Sequence, residues 1–237
     1  MTDPRTPTAA FRDGLIEGLA IARETERAIL AAFEAAERDA HAPDGGWSAK
    51  DIQAHLSAWR HHQVRRMRAI RENRPEPASA PETDEINAVI HAERAGWPWE
   101  HVVEDADATA ADLIAEVEAA SDETLGLDRI SGSIMGNGSE HTLTHVGPLA
   151  AHAGQESRVL ELADAMITIL DRGGWPSRPA AYARYNLACY HALAGNLDVA
   201  RSLLRRALPE REELRTFAPE DDDLIALRLE IPMLAEG

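Results

Sequence analysis

The sequence predicts an all-α fold: a bundle of four long amphipathic helices followed by a short helical hairpin. Two observations carry that expectation. Ala, Leu and Arg are abundant and aromatic residues make up only 5% of the 237 positions, a balance that favours helix over sheet. Apolar residues also recur in steps of three and four along several long segments, which places them on one face of a helix. A chain of this length can bury a sizeable core.

The first helix runs from residue 9 to about residue 40, with Phe11, Leu15, Leu19, Ala22, Ile29 and Phe33 facing inward. Asp44-Gly45-Gly46 ends it. Ser48 caps a second helix that reaches about residue 72 through Ile52, Leu56, Trp59, Met67 and Ile70. Three prolines between Arg74 and Pro81 mark a loop, and residues 82–95 form a short helix. A third long helix starts near Pro98, turns Trp99, Val103, Leu113 and Val117 inward, and ends between Ser121 and Leu125. The stretch SGSIMGNGS, residues 131–139, carries three glycines and reads as loop. The fourth long helix begins at Thr144 or Pro148 and continues to Leu170, with Gly173-Gly174 closing it. Four such helices joined by substantial loops make a four-helix bundle the natural architecture for residues 1–174.

Residues 175–237 have a different texture. Two short helices flank a tight Ala194-Gly195-Asn196 turn, and small residues at Ala188, Ala200 and Ala207 suit closely packed helices. With Leu187-Ala188 and Gly195 in place, this hairpin resembles one tetratricopeptide unit followed by a capping tail. A single unit cannot bury its own face, so it is expected to pack on the bundle.

The formal charge of −17 argues against nucleic acid as a partner, because phosphate backbones are repelled by an acidic surface. One basic cluster stands out, Arg60, Arg65, Arg66, Arg68 and Arg71 with His61 and His62, and it is expected to be the solvated face of a helix. Cys189, the single cysteine, reads as a buried core thiol and permits no intrachain disulfide. No apolar run approaches the ~18 residues of a membrane span, and the opening residues lack a signal core. A soluble, cytoplasmic protein without a membrane partner is the resulting expectation.

The fourth helix holds the most informative pattern. Its inner stripe reads Leu149, His152, Glu156, Val159, Ala163, Met166, Leu170, so an ionisable pair one turn apart faces the core. A carboxylate there is costly unless it is paired or bound to a metal. His152 and Glu156 at i and i+4 could hold one ion, and His55, on the inner face of the second helix, could supply a third ligand. Three N/O ligands leave positions open, as a reactive site requires. The alternatives are a plain core histidine at 55 and a buried ion pair between Glu156 and Arg60 or Arg65. His141 and His145 form a candidate additional site, and Gly147-Pro148 argues against unbroken helix from them to His152. They are otherwise exposed loop residues. Trp47 and Trp59 read as core anchors, and His61, His62, His91 and His101 show no ligand spacing. No nucleophile elbow, phosphate loop or paired-cysteine zinc motif is present.

The segment Gly46-Trp47-Ser48-Ala49-Lys50-Asp51-Ile52-Gln53-Ala54-His55-Leu56-Ser57-Ala58-Trp59 resembles the second-helix motif of the DinB-like superfamily. The nearest branches are the N-terminal bundles of mycothiol-dependent maleylpyruvate isomerases and the ClbS/DfsB group. Asp84-Glu85-Ile86-Asn87 and Trp97-Pro98-Trp99-Glu100-His101-Val102 resemble the linker and third helix of the latter. The resemblance spans roughly residues 11 to 170. It implies that His55 is the first metal ligand and that a histidine pair on the fourth helix supplies the rest, falling on His152 and Glu156, where a glutamate departs from the pattern. It further implies a divalent cofactor (zinc, nickel or iron) and, in the isomerase branch, a low-molecular-weight thiol.

Two functions are expected, the first implied by the resemblance and the second by the C-terminal repeat. One is a metal-dependent enzyme acting on an electrophilic small molecule, by thiol-dependent transfer or isomerisation or by a protective hydrolysis that confers self-resistance. The other is a non-catalytic bundle that binds a small molecule, with the C-terminal repeat docking a protein partner. The family resemblance also admits a homodimer.

Overall fold

The computed structural model describes residues 9–41, 46–77 and 83–236, and contains no strand among them. The turn expected at residues 44–46 and the end of the proline-rich loop lie partly outside these segments. The helices are α1 (Ala9–Leu30), α2 (Ala49–Arg71), α3 (Thr83–Arg94), α4 (Trp99–Ala119), α5 (Asp122–Leu125), α6 (Asp128–Asn137), α7 (Ser139–Ala153), α8 (Glu156–Asp171), α9 (Ser177–Leu193), α10 (Leu197–Ala207), α11 (Glu212–Phe217) and α12 (Ile231–Ala235). Two compact units form, one of Leu15–Ser121 with Ser133–Val159, the other of Met1–Gly14, Asp122–Gly132 and Leu160–Gly237.

In the first unit α2 is the central helix and packs against α3, α4 and α7. Every residue from Ile52 to Ala58 is buried, so this helix has no solvent face over that stretch. Its start is fixed as the sequence predicts. Ser48 accepts the Asp51 backbone N–H, and Asp51 accepts the Ser48 backbone N–H in return, a reciprocal cap that satisfies two otherwise orphaned donors. Around it, α4 turns one stripe inward through Val102, Ala106, Ala110, Leu113 and Val117. The stripe begins at Val102 rather than at Trp99 and Val103, which remain partly exposed.

Three elements differ from expectation. Helix α1 stops at Leu30, and residues beyond it form successive turns, because Phe33 is the last large apolar residue before a run of charged ones. The glycine-rich stretch is helix, not loop. Ile130, Ile134 and Met135 are almost fully buried at helical spacing, and their burial outweighs the propensity cost of Gly132 and Gly136. Gly138, between α6 and α7, is a glycine for steric reasons: a Cβ there would lie 2.6 Å from the Ile134 carbonyl oxygen, which cannot move aside as the Leu19 side chain could.

The fourth long helix is in fact two. Helix α7 runs unbroken through Gly147 and Pro148, whose ring lies on the exposed side, and ends at Gly154. That glycine adopts φ +64, a left-handed cap, and α8 starts afresh at Glu156. A Cβ at Gly154 would meet nothing within 4 Å, so substitution there probes the backbone conformation alone. Gly154→Ala is expected to cost ~1–2 kcal/mol in urea unfolding. An unchanged midpoint would show that the turn carries no left-handed requirement.

In the second unit α9 and α10 pack as a hairpin, joined by a turn in which Gly195 has φ +81, and α12 packs on α10. Phe11 meets the edge of Trp175 at 4.8 Å between ring centres. Cys189 is a buried free thiol, as expected. Tyr185 donates its hydroxyl to Asp221 at 2.6 Å.

Candidate metal centre

Helix α2 presents His55, and α7 presents His141 and His145 from consecutive turns. The unbroken course of α7 is what brings the latter two onto one face, and theirs is the single His-x-x-x-His spacing in the chain. The three rings lie 4.7 Å apart, centre to centre, in every pairing. His55 Nε2 and His141 Nε2 are 3.0 Å apart, and one ring nitrogen from each of the three falls within 4.8 Å of the others.

These imidazoles are held neutral. Burial, and then the neighbouring His145, push His55 down to about 3; burial and the neighbouring histidines and Arg60 push His141 to about 2, and burial also lowers His145. A satisfied core histidine would have partners for both ring nitrogens. Here Nδ1 of both His55 and His141 is buried with none among the described residues. Neutral rings with converging lone pairs suit a cation. Two nitrogens ~2.0–2.1 Å from one ion stand ~3 Å apart, which the His55–His141 pair already matches.

The surroundings shape an approach. Trp47 packs on His55 at 4.7 Å, and Trp59 lies 6.4 Å away on its other flank. Both tryptophans thus border the site rather than anchor the core. His55, Trp59, Asn87, Asn137, His141 and His145 line an open cavity of about 240 Å³. The Trp59 indole N–H donates to Asn87 Oδ1 at 3.1 Å, which orients that amide.

The structure does not bring His152 and Glu156 to this cluster. His152 follows His145 by seven residues, about 10 Å along the helix axis, and its side chain is 60% exposed. It stacks on Phe33 and approaches Glu37 at 3.6 Å. Glu156 is exposed in the first turn of α8, beyond the Gly154 break, and faces neither His55 nor an arginine of α2. The continuous inner stripe assumed a single helix, and the left-handed glycine removes its register.

The expected solvated basic face is also different. Arg60 is 2% exposed and pairs with Glu26, which is completely buried on α1. Arg23 donates to the same carboxylate at 2.9 Å and to Gln53 at 2.6 Å, and the Thr142 hydroxyl donates to it as well. Burial raises the Glu26 carboxyl, but Arg60, then Arg23 and Thr142, outweigh that and bring it to about 2. The network ties α1, α2 and α7 together beside His141. Arg68 and Arg71 converge on Glu116, and Arg66 pairs with Glu76, so most of the cluster is neutralised.

No helix among the described residues is long and apolar enough to cross a membrane. Residues 19–158 match the family model of the DinB superfamily. No curated protein and no solved structure matches the chain.

Proposed function

The chain belongs to the DinB superfamily, and from that premise we propose that His55, His141 and His145 hold a divalent metal at which a small electrophilic molecule reacts. The observation that carries this reading is the convergence of three neutral imidazoles, one buried and two partly buried, at the edge of an open cavity, with Nδ1 of His55 and of His141 lacking a partner among the described residues. The ion would supply Lewis acidity, which makes water or a thiol nucleophilic near neutral pH.

The chain's own residues do the rest. Trp47 and Trp59 flank the His55 ring, and Asn87, held by the Trp59 indole N–H, keeps its amide N–H groups available. A volume of about 240 Å³ lies below the ~300–1,000 Å³ of common ligand pockets, which suits a small molecule or the reactive end of a larger one. Thiol-dependent transfer and hydrolysis both fit such a site.

Elemental analysis of untagged protein tests the proposal. About one zinc, nickel or iron per chain is expected, lost in His55→Ala and His145→Ala and retained in His152→Ala and Glu156→Ala. Metal-free protein after reconstitution would instead favour a non-catalytic binding bundle.

A further inference from the structure

Arg94, at the end of α3, is the second feature of this site that lacks an internal explanation. Its side chain is only 13% exposed, and its Nε is buried without an acceptor among the described residues. Its closest carboxylate is that of the exposed Glu93, at 3.7 Å, beyond hydrogen-bond reach. Otherwise the guanidinium lies over the Trp97 ring at 4.9 Å. In a chain with 41 acidic residues, Arg23, Arg60, Arg66, Arg68 and Arg71 all find close carboxylates. A buried guanidinium N–H with no acceptor is costly, and an incoming anion would remove that cost.

Arg94 borders a narrow recess with Trp47, Asp51, His55, Asn87 and His91. His55 and Asn87 also line the larger cavity, so the recess adjoins the histidine cluster. Its free space, about 10 Å³, admits one oxygen-sized atom. Two carboxylates stand near, and both accept hydrogen bonds from other groups, although the Arg94 charge also lowers the Asp105 carboxyl. Asp51 accepts the Ser48 backbone N–H at 3.1 Å and the Ser48 hydroxyl at 2.7 Å, with His91 Nε2 at 3.3 Å. Asp105 accepts from Ser57 at 2.6 Å and meets His61 at 3.3 Å. The Trp59 indole N–H takes one lone pair of the Asn87 carbonyl and fixes the amide, whose two N–H groups have no acceptor among the described residues. Arg94 and the Asn87 amide are the free donors of this lining.

We propose that Arg94 and Asn87 form an anion subsite beside the three histidines, which takes a carboxylate of the small molecule that reacts there. The proposal rests on the metal-site reading and deepens it by naming the substrate class, a carboxylate-bearing compound anchored by Arg94 with its reactive carbon toward the histidines.

Malonate is the probe, titrated by calorimetry into wild type and Arg94→Gln, each metal-free and loaded with cobalt(II). The cobalt absorption spectrum reports separately whether the histidines bind metal, and neutral imidazole serves as a ligand that needs no anion site. At least a ~10-fold loss of malonate affinity is expected in Arg94→Gln, since a charge-assisted pair is removed, with imidazole affinity unchanged. Asn87→Asp, which retains an acceptor for Trp59 and adds a negative charge, should weaken malonate in the same direction and keeps the test open if the first variant misfolds. Equal malonate affinity in wild type and variants, or no malonate binding by either form of the wild type, would overturn the subsite. Absent cobalt bands with malonate binding still dependent on Arg94 would sink the metal reading and leave the subsite standing.

Discussion

Glu26→Gln is expected to lower the unfolding free energy by ~3–5 kcal/mol, the range found when one partner of a buried ion pair is removed. The side chain is 0% exposed, and it is the counter-charge of both Arg60, which is 2% exposed, and Arg23, which is 7% exposed. Glutamine preserves the volume but not the charge. Arg60 would then be left buried with only neutral acceptors beside it, the Thr142 hydroxyl and the amide carbonyl of the new glutamine, and Arg23 would keep Gln53 and the partly exposed Asp107. The loss comes from uncompensated charge rather than from a cavity, so Glu26→Gln should be nearly as damaging as Glu26→Ala. Exposed pairs behave differently: Glu72→Gln, which breaks the contact with Arg74 on the surface, should change stability by less than ~1 kcal/mol. Urea unfolding followed by circular dichroism measures all three. A Glu26→Gln midpoint within error of wild type would mean that water reaches the network and relieves the arginines.

The metal-free protein is expected to lose stability steeply as pH falls from about 6.5 towards 3. In the unfolded chain histidine takes a proton near pH ~6.5. In the native state His55 resists protonation down to about 3 and His141 to about 2. Between those limits the unfolded state binds protons that the native state does not, so stability must fall with falling pH. Glu26 adds a second loss lower down. Its native value of about 2 lies below the ordinary 4.5, so the stability it contributes is complete above that ordinary value and disappears as pH drops towards 2. The upper window therefore belongs to the histidines. His141→Leu should flatten the pH dependence between 6.5 and about 4.5 by roughly one proton's worth of slope and leave the lower limb in place. Should the variant retain the wild-type slope in the upper window, His141 is not held neutral in the fold.

The family and the position of the central helix were legible without coordinates because they depend on local chemistry. The Ser48–Asp51 cap sets where α2 begins, and the Trp47-to-Trp59 motif, with His55 within it, identifies the superfamily. The single His-x-x-x-His spacing in the sequence, His141 to His145, was also readable, but the Gly147-Pro148 pair following it argued for a break. Proline is tolerated there because its ring faces solvent, and that depends on which side of α7 meets the bundle.

The break that does occur, at Gly154, carries no signal that distinguishes it from a helical glycine. Its left-handed φ ends α7 and separates His152 from Glu156, which starts α8. The same holds for Glu26. On its own helix it is one acidic residue among several, and only the approach of α2 and α7 turns it into the buried partner of Arg60 and Thr142. Sequence by itself determined the helical class, the α2 cap and the identity of one histidine, since propensity, capping and motif act over a few residues. Tertiary structure alone decided which two histidines join it and which carboxylate is buried, because those choices are made between helices distant in the chain.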